Sequence, residues 1–185
     1  MIRIRPYLLL FVAGGLVLSL CDRVHIAYGV LEQADRSFFG QAWWVPLVFG
    51  IASVLAPLAY PPVRRLLGIS APPRPRDPIR LGSSALVLCA AYVVTGPMHH
   101  SGSSLAVGLT AAWAVRAALR RTRSETVFAV LLAIVGPLVE ASLSALGLFT
   151  YRQPDVLGVP IWLGAIYLHA GPLVGEIDAY LHRAS

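Results

Sequence analysis

The stretch "FFGQAWWVPLVFG", residues 38–50, places two adjacent tryptophans directly before a proline, at the head of a long apolar run. Trp43 and Trp44 allow three interpretations: an anchor at a membrane surface, a wall of a ligand site, or a family signature. Tryptophan is common at membrane–water interfaces because its ring is amphipathic. Pro46 fits the first turn of a helix, where its missing N–H does no harm. The stretch therefore predicts the start of a membrane helix, with at most one of the two tryptophans facing a bundle.

The composition is that of a membrane protein. Of the 185 residues, 57% are hydrophobic and 13% are charged, whereas a soluble domain carries about a quarter charged residues. We therefore expect a polytopic membrane protein. All fifteen basic residues are arginine, which we interpret as codon bias of a GC-rich, bacterial genome. The net charge of +6 does not indicate nucleic-acid binding, because membrane topology alone can demand these arginines.

Six apolar runs are long enough to cross a bilayer core of about 30 Å as helices. The proline-rich segment 70–78 divides the chain after two of them, but neither side forms a plausible domain by itself. We expect one all-α membrane domain over residues 1–185, a bundle of six transmembrane helices. The six runs cover residues 7–23, 42–61, 80–98, 103–119, 126–148 and 158–178.

The arginines indicate the orientation of this bundle. With six spans both termini lie on one side, and that side carries twelve of the fifteen arginines. By the positive-inside rule the termini are expected in the cytoplasm, with the protein in the cell membrane. The twelve are Arg3, Arg5, Arg64, Arg65, Arg74, Arg76, Arg80, Arg116, Arg120, Arg121, Arg123 and Arg183. The three on the other side are Arg23, Arg36 and Arg152.

Two ionisable residues are predicted inside the bilayer, where such groups are costly and often functional. Glu140 falls in the fifth run and His169 in the sixth, at depths that differ by about 5 Å. A hydrogen-bonded pair of the two would suit an acid/base enzyme acting on a polyisoprenoid, or a small proton-coupled carrier. The interpretation that we favour is a neutral Glu140 satisfied by a neighbouring hydroxyl, such as that of Ser142 or Ser144.

The other histidines receive structural interpretations. His99 and His100 are adjacent, so their side chains diverge on a helix, and we expect a solvated turn and no metal site. Asp22, Arg23 and His25 end the first run, where we expect a local ion pair at the membrane interface.

Glycine, proline and small residues indicate how the later helices pack. The segments "VGPLVE" (135–140) and "AGPLVGE" (170–176) predict bends in the last two helices, because a proline frees backbone polar groups. The fourth run carries small residues that let membrane helices approach closely, either within the bundle or in a homo-oligomer. These residues are Gly108, Ala111, Ala112 and Ala114.

Three stretches resemble signature motifs of the Insig family, the sterol-responsive regulators of the endoplasmic reticulum. The stretch that opens with "AWWVP" and closes with "LAYPP" retains Trp43, Trp44, Val45, Pro46, Gly50, Tyr60 and Pro61. The block 151–181 retains Tyr151, Pro154, Asp155, Leu157, Trp162, Leu163, Ile166, Gly171, Gly175 and Ile177. The turn "RRTRSE" (120–125) retains Arg121, Arg123 and Ser124.

The resemblance implies a six-helix bundle around a lipid cavity that binds oxysterols, and contacts with the membrane proteins SCAP and HMG-CoA reductase. The family's partner-binding aspartate aligns with Arg120, a reversal of charge, so the scaffold transfers and this contact does not. Arg120, Arg121 and Arg123 are candidates for contact with an unidentified membrane partner. Thr110 is the best match to the polar cavity residues of the family's fourth helix.

From these features we predict a non-enzymatic membrane protein that holds an apolar lipid between its helices. The lipid is expected to be sterol-like, an isoprenoid or an acylglycerol, and no cofactor is expected. The alternative is the intramembrane enzyme or carrier that uses Glu140 and His169. The candidate lipid-binding residues are Tyr92, Thr95, Thr110, Trp113, Phe128, Glu140 and Phe149.

Overall fold

A computed structural model describes residues 4–70, 75–120 and 122–181 of the chain, which are mostly helical. The helices are α1 (Ile4–Ala27), α2 (Val45–Leu66), α3 (Pro78–Met98), α4 (Gly102–Arg120), α5 (Arg123–Ala145), α6 (Leu163–Leu168) and α7 (Ala170–Leu181). The strands are β1 (Leu31–Gln33) and β2 (Phe149–Tyr151), and a single 3₁₀ turn spans His99–Ser101. We call the end of the bundle that carries the strands the strand end, and the opposite one the arginine end.

Four stretches of the described residues are long and apolar enough to cross a membrane: Ile4–Ala27, Val45–Leu66, Pro78–Arg120 and Arg123–Ala145. The third has 43 residues, and as a straight helix it would be about 64 Å long. It folds back at the 3₁₀ turn instead, and the Arg116 guanidinium on α4 donates a hydrogen bond of 2.8 Å to the Ser84 hydroxyl on α3. The stretch is therefore an antiparallel helical hairpin, α3–α4.

The side chains that face away from the bundle are apolar. Leu9 on α1, Leu86 on α3 and Leu119 on α4 are 71%, 69% and 80% exposed. Large apolar surfaces of this kind are avoided in water and are the normal surface of a protein in lipid. The protein is a membrane protein, as the composition predicted.

The last apolar run is divided, whereas the fifth is not. Pro172 has no N–H to donate to the Leu168 carbonyl, and its ring crowds that carbonyl, so the helix breaks at His169 between α6 and α7. Pro137 lies inside α5, which continues through it. The Ala133 carbonyl that Pro137 leaves without its helical donor faces Gly164 of α6, where a β-carbon would come within 3.0 Å of it.

Glycines set the closest helix contacts. A β-carbon on Gly15 of α1 would meet the Pro46 carbonyl of α2 at 2.6 Å. A β-carbon on Gly171 of α7 would meet the Glu125 carbonyl of α5 at 2.8 Å. Backbones that approach this closely gain dispersion contacts, which replace the hydrophobic driving force that is missing in lipid.

The sequence analysis did not anticipate the strands. β1 and β2 pair antiparallel, with Glu32 opposite Thr150, and join the segment after α1 to the segment after α5. Each has only three residues, of which the first and third are buried. A pattern of this length carries no detectable period.

The strands reveal that the fold contains an internal repeat. The first repeat (residues 4–66) comprises α1, β1 and α2, and the second (residues 122–181) comprises α5, β2, α6 and α7. Equivalent positions differ by 118 in number. The matched boundaries are the ends of α1 and α5 (Ala27, Ala145), the starts of β1 and β2 (Leu31, Phe149) and the starts of α2 and α6 (Val45, Leu163).

Backbone details repeat at the same offset. Gly29 and Gly147 end α1 and α5 with positive φ of 67° and 75°, and their N–H groups donate bonds of 3.1 and 2.9 Å to equivalent carbonyls. Phe39 and Leu157, at φ 50° and 53°, occupy equivalent turns before α2 and α6. In the strand pair Glu32 faces its own equivalent, Thr150, so a local twofold axis passes through this pair.

The repeat explains why one side of the bundle is open. A twofold axis creates two equivalent grooves, one between α2 and α5 and the other between α1 and the α6–α7 segment. α3 packs against both α1 and α7 and so fills the second groove. Of the two helices inserted between the repeats, α3 occupies the second groove and α4 packs against α3 and α6, so the first groove is left as a cavity.

We predict that Gly171→Leu lowers the free energy of unfolding by about 1–3 kcal/mol or more, because the added side chain overpacks the α5–α7 contact. Gly82→Leu is the matched control, since no atom of the described residues, apart from the backbone of its own helix, lies within 4 Å of a β-carbon at Gly82. Thermal unfolding in detergent measures both. Equal melting temperatures for the two variants would contradict the close α5–α7 packing.

Candidate functional site

A cavity of about 600 Å³ lies between α2 and α5. Pockets of about 300–1,000 Å³ hold small-molecule ligands. It runs along α2 from Val45 to Val63, about 27 Å at about 1.5 Å per residue. Its walls are apolar over most of this length, with Val48, Ala52, Leu55, Ala56 and Ala59 from α2 and Phe128, Leu131, Leu132, Val135 and Val139 from α5.

Aromatic contacts hold α2 and α5 together at the two ends of the cavity. At the strand end, Trp44 stacks on Phe149 with a ring-centroid distance of 6.5 Å. Towards the arginine end, Tyr60 packs edge-on against Phe128 at 5.1 Å, and its hydroxyl donates a hydrogen bond of 2.8 Å to Ser124. Between these contacts the helices stand apart, and the cavity extends along α2 as far as Val63.

The mouth of the cavity faces sideways. Ile51 and Leu55 of α2 and Val135 and Val139 of α5 line it, and each of them is about half exposed. These residues lie in the middle of helices long enough to cross a membrane. The mouth therefore opens to the lipid side of the bundle rather than to either end.

The polar residues of the cavity are gathered at the strand end. They are Asp22, Gln33, Glu140 and Tyr167. Glu140 accepts hydrogen bonds at both carboxylate oxygens, from the Tyr151 hydroxyl and, at 2.6 Å, from the Tyr167 hydroxyl. Burial raises the pKa of Tyr151, in β2, well above its ordinary value, so this phenol stays protonated and acts as a donor.

Comparison with known proteins points to one family, although no family model matches the chain. The chain is 29% identical to the insulin-induced gene 1 protein of Danio rerio over 98% of this chain and 74% of that protein. It is 33% identical to the insulin-induced gene 2 protein of Gallus gallus over 78% of this chain and 65% of that protein. The fold matches the crystal structure of the Insig homolog MvINS from Mycobacterium vanbaalenii with a TM-score of 0.84 at 21% identity, covering 100% and 98% of the two chains.

The chain belongs to the Insig family. The family resemblance predicted from the sequence motifs is confirmed. A cross-linked trimer of MvINS gives a similar match, with a TM-score of 0.82 at 22% identity.

The Insig signature residues before α2 form the strand end of the cavity. Trp44 is half-buried against Phe149, whereas Trp43 is 59% exposed, so only one of the pair faces the bundle, as expected. Pro46 is in the first turn of α2.

The signature residues of the second repeat are structural. Tyr151 is buried and holds Glu140, and Trp162 is buried beside His25 at a ring distance of 5.5 Å. Asp155 accepts a hydrogen bond of 2.8 Å from the Ile161 N–H and so shapes the turn that also contains Pro154. Gly171 and Gly175 of α7 lie against Ala129 and Glu125 of α5.

Three of the seven candidate lipid-binding residues line the cavity, namely Phe128, Glu140 and Phe149. Tyr92 and Thr95 are buried on α3, in the groove that this helix fills, and Thr95 lies 2.6 Å from the His25 ring. They lie outside the cavity because they belong to the other side of the twofold axis.

The candidates on α4 also lie outside the cavity. Thr110 is exposed on the outward face of α4. Trp113 is half-buried beside Arg120, Glu125 and Pro172, where the space is only about 10 Å³. The sequence could not show which two helices stand apart, so it did not place these two residues relative to the cavity.

Glu140 and His169 are not hydrogen-bonded to each other among the described residues. The His169 ring lies 3.1 Å from the Leu109 carbonyl of α4, on the other side of α6 from Glu140. The hydroxyl donors to Glu140 differ from the serine that we expected. Ser142 donates to the Leu138 carbonyl, and the Tyr151 and Tyr167 hydroxyls donate to Glu140. The tyrosines come from elements that are distant in sequence, which local inspection could not reveal.

One arginine of the arginine-rich turn forms ion pairs within the chain, and another is exposed. Arg120 forms ion pairs with Glu125, at 3.5 Å, and with Glu176, and it donates to the Ser84 hydroxyl. Arg123 is exposed at the start of α5. Arg121, like Arg3, Arg74 and Arg183, lies outside the described residues.

The histidine turn is more buried than expected. His99 is buried, and its ring bonds the Gly96 carbonyl at 2.7 Å. His100 is exposed and contacts Gln153. No group of three metal-ligating side chains is found in the described parts of the chain.

Among the cavity residues that the sequence analysis missed are Asp22, Gln33, Tyr167 and the face of α2. One signal was available for α2, because Ala52, Ala56 and Ala59 recur at helical spacing and leave room on one face. No such signal marks Asp22, which the sequence analysis placed in a local ion pair among Asp22, Arg23 and His25. Its Oδ1 lies 3.3 Å from His25 Nδ1, and Asp22 lines the cavity as well.

We predict that Tyr151→Phe and Tyr167→Phe each lower the free energy of unfolding by about 1–3 kcal/mol, because each leaves a buried carboxylate oxygen of Glu140 without its donor. Tyr28→Phe, at a tyrosine that is 52% exposed, is the matched control. Thermal unfolding of the purified Insig-family protein gives the comparison. If all three variants melt alike, the tyrosines do not support Glu140.

Proposed function

We propose that the protein is a non-enzymatic lipid-binding membrane protein that holds one apolar lipid in the cavity between α2 and α5. The lipid class is sterol-like, isoprenoid or acylglycerol. The observation that carries the proposal is the shape and lining of the cavity: a long apolar channel with a sideways mouth and polar groups at one end only. A lipid with one polar end matches this arrangement.

The size of the cavity favours a lipid over a helix of a partner protein. A transmembrane helix needs about 20 residues and a diameter of about 10–12 Å. That is a volume well beyond 600 Å³. A single sterol or acyl chain is thin enough to pass between α2 and α5 while their two ends stay in contact.

The alternative of an enzyme or carrier that uses Glu140 and His169 finds no support in their positions. Both oxygens of Glu140 already accept hydrogen bonds from tyrosines. His169 faces α4 and does not line the cavity. A general acid/base pair must reach one reacting group, and these two side chains face different spaces.

We propose further that the chain crosses the cell membrane six times with both termini in the cytoplasm. The α3–α4 hairpin supplies two crossings, and the interrupted segment α6–α7 the last. In support, Arg23, Arg36 and Arg152 lie at the strand end, whereas the remaining described arginines lie towards the arginine end. The positive-inside rule then directs the arginine end to the cytoplasm.

A homo-oligomer is proposed through the outward face of α4. This face carries Gly108, Ala111 and Ala112 fully outward, and no atom of the described residues lies within 4 Å of a β-carbon at Gly108. Small residues spaced by four allow a second helix to approach closely. MvINS, which shares the fold, has been crystallised as a cross-linked trimer.

A partner membrane protein, if the chain regulates one, would meet the arginine end. Arg123 is the exposed candidate there, because Arg120 is taken up by Glu125 and Glu176. The partner's identity does not follow from this surface.

The lipid proposal predicts that Ala52→Trp lowers lipid occupancy at least about tenfold, because the indole fills the channel. Ala13→Trp, on the exposed face of α1, is the control for a bulky residue in lipid contact. Native mass spectrometry of detergent-purified protein measures the co-purifying lipid. A wild-type protein without lipid, and without measurable binding of labelled hydroxysterols or glycerolipids, would sink the proposal.

The oligomer proposal predicts that Gly108→Leu combined with Ala112→Leu shifts the protein to monomers, because the leucines separate the α4 faces. Light scattering coupled to gel filtration reports the mass. Gly82→Leu, on an exposed part of α3, should leave the mass unchanged. A wild-type monomer at all concentrations would contradict the proposed interface.

A further inference from the structure

Asp22 and Glu140 are equivalent carboxylates in the two repeats. They differ by 118 in number, and each lies about one turn before the end of its helix, α1 or α5. Both line the strand end of the cavity. The twofold axis thus brings two buried acidic groups, one from each repeat, to the polar end of one site.

The second repeat satisfies its carboxylate completely. Glu140 accepts hydrogen bonds from Tyr151, in β2, and from Tyr167, in α6. The equivalent positions in the first repeat are Gln33, in β1, and Phe49, in α2, and both residues line the cavity. Asp22 therefore lacks the two phenol hydroxyls that its counterpart receives.

Asp22 has one partner instead of two. Its Oδ1 lies 3.3 Å from His25 Nδ1, and His25 Nε2 lies 2.6 Å from the Thr95 hydroxyl. The Thr95 hydroxyl donates its proton to the Tyr92 carbonyl at 2.6 Å. Its oxygen is the partner of His25 Nε2, and this contact keeps the His25 ring next to α3. No hydrogen bond from a described residue reaches Asp22 Oδ2, although the residue is only 8% exposed.

Gln33 supplies a donor at the same end of the cavity. Its Oε1 accepts a hydrogen bond of 2.6 Å from the Ala42 N–H, which fixes the orientation of the amide. The Nε2 group is then turned away from Ala42, and within the described ranges no acceptor is hydrogen-bonded to it. The strand end therefore offers an acceptor, Asp22, and a donor, Gln33.

We propose that this end of the cavity binds a free alcohol hydroxyl on the head of the lipid. The hydroxyl donates to Asp22 Oδ2 and accepts from Gln33 Nε2, and so it replaces in the first repeat the phenol hydroxyls of the second. This inference rests on the proposed lipid-binding function and narrows the ligand to an alcohol.

Other head groups fit less well. An ester or ether end has no proton to donate to Asp22, and an ammonium group cannot accept from Gln33. A carboxylate or phosphate would bring further negative charge to a site with two acidic side chains. A hydroxyl is the smallest group that donates and accepts at one atom. Sites built around such a group reject analogues that lack it, because their own polar groups are left unpaired.

The test compares alcohols with capped analogues of the same shape. The probes are dioleoylglycerol and its acetate ester, and cholesterol and its methyl ether, titrated into the purified full-length protein in detergent and measured by native mass spectrometry. At least one alcohol is expected to bind at least about tenfold more tightly than its capped partner. The glycerol and sterol pairs show which source of the hydroxyl the cavity takes.

Two variants connect this preference to the first repeat. Phe49→Tyr supplies from the chain the hydroxyl that Tyr167 supplies in the second repeat, and Asp22→Leu removes the acceptor. Both should abolish the difference between alcohol and capped lipid. Phe49→Tyr should also raise the melting temperature of the lipid-free protein, because the new hydroxyl donates to Asp22. The inference can therefore still be tested if Asp22→Leu does not fold. Phe39→Tyr, at an exposed turn, is the control.

The outcomes separate this inference from the proposed function. Equal binding of alcohols and capped analogues, lost in Ala52→Trp, would overturn the hydroxyl site and leave the lipid cavity standing. Absence of binding by all four probes, together with absence of any co-purifying lipid from the wild-type protein, would overturn both. A Phe49→Tyr protein with unchanged stability and unchanged preference for alcohols would show that Asp22 does not receive the lipid hydroxyl.

Discussion

The pairing of β1 with β2 is the constraint on which the shape of the molecule depends. The two strands join the connections that follow α1 and α5, beyond the ends of the membrane-crossing helices. Their antiparallel pairing around Glu32 and Thr150 fixes the tops of α2 and α5 relative to one another. With Trp44 on Phe149 at one end and Tyr60 on Phe128 at the other, the helices cannot close between these contacts. The cavity is a consequence of how its ends are held.

The twofold repeat gives this cavity its chemistry. The twofold repeat produces two equivalent grooves and two equivalent carboxylates, but the members of each pair have different neighbours. One groove receives α3, and one carboxylate, Glu140, receives two tyrosine hydroxyls. The other groove remains open beside Asp22. Function in this fold therefore arises where the second half departs from the first.

The membrane class, the family and the positions of the long helices could be read from the sequence, because they depend on local apolar runs and short motifs such as "AWWVP". The internal repeat could not be recognised from the sequence. Around the strands, little more than Gly29, Gly40 and Trp44 is identical to the equivalent residue of the second repeat. Tyr151 and Tyr167 as donors to Glu140, and α2 as a cavity wall, depend on which elements meet in space. Hydropathy alone hides most of that information, because lipid-facing and cavity-facing residues are both apolar.

The sideways mouth between Leu55 and Val135 decides how the site would sense its surroundings. A ligand that enters from the bilayer never passes through water, so the relevant concentration is its mole fraction among the surrounding lipids. Occupancy would then follow membrane composition directly, independently of the total amount of lipid in the cell. It would also depend on how strongly neighbouring lipids retain the same molecule, so the protein would report chemical activity in the bilayer rather than abundance.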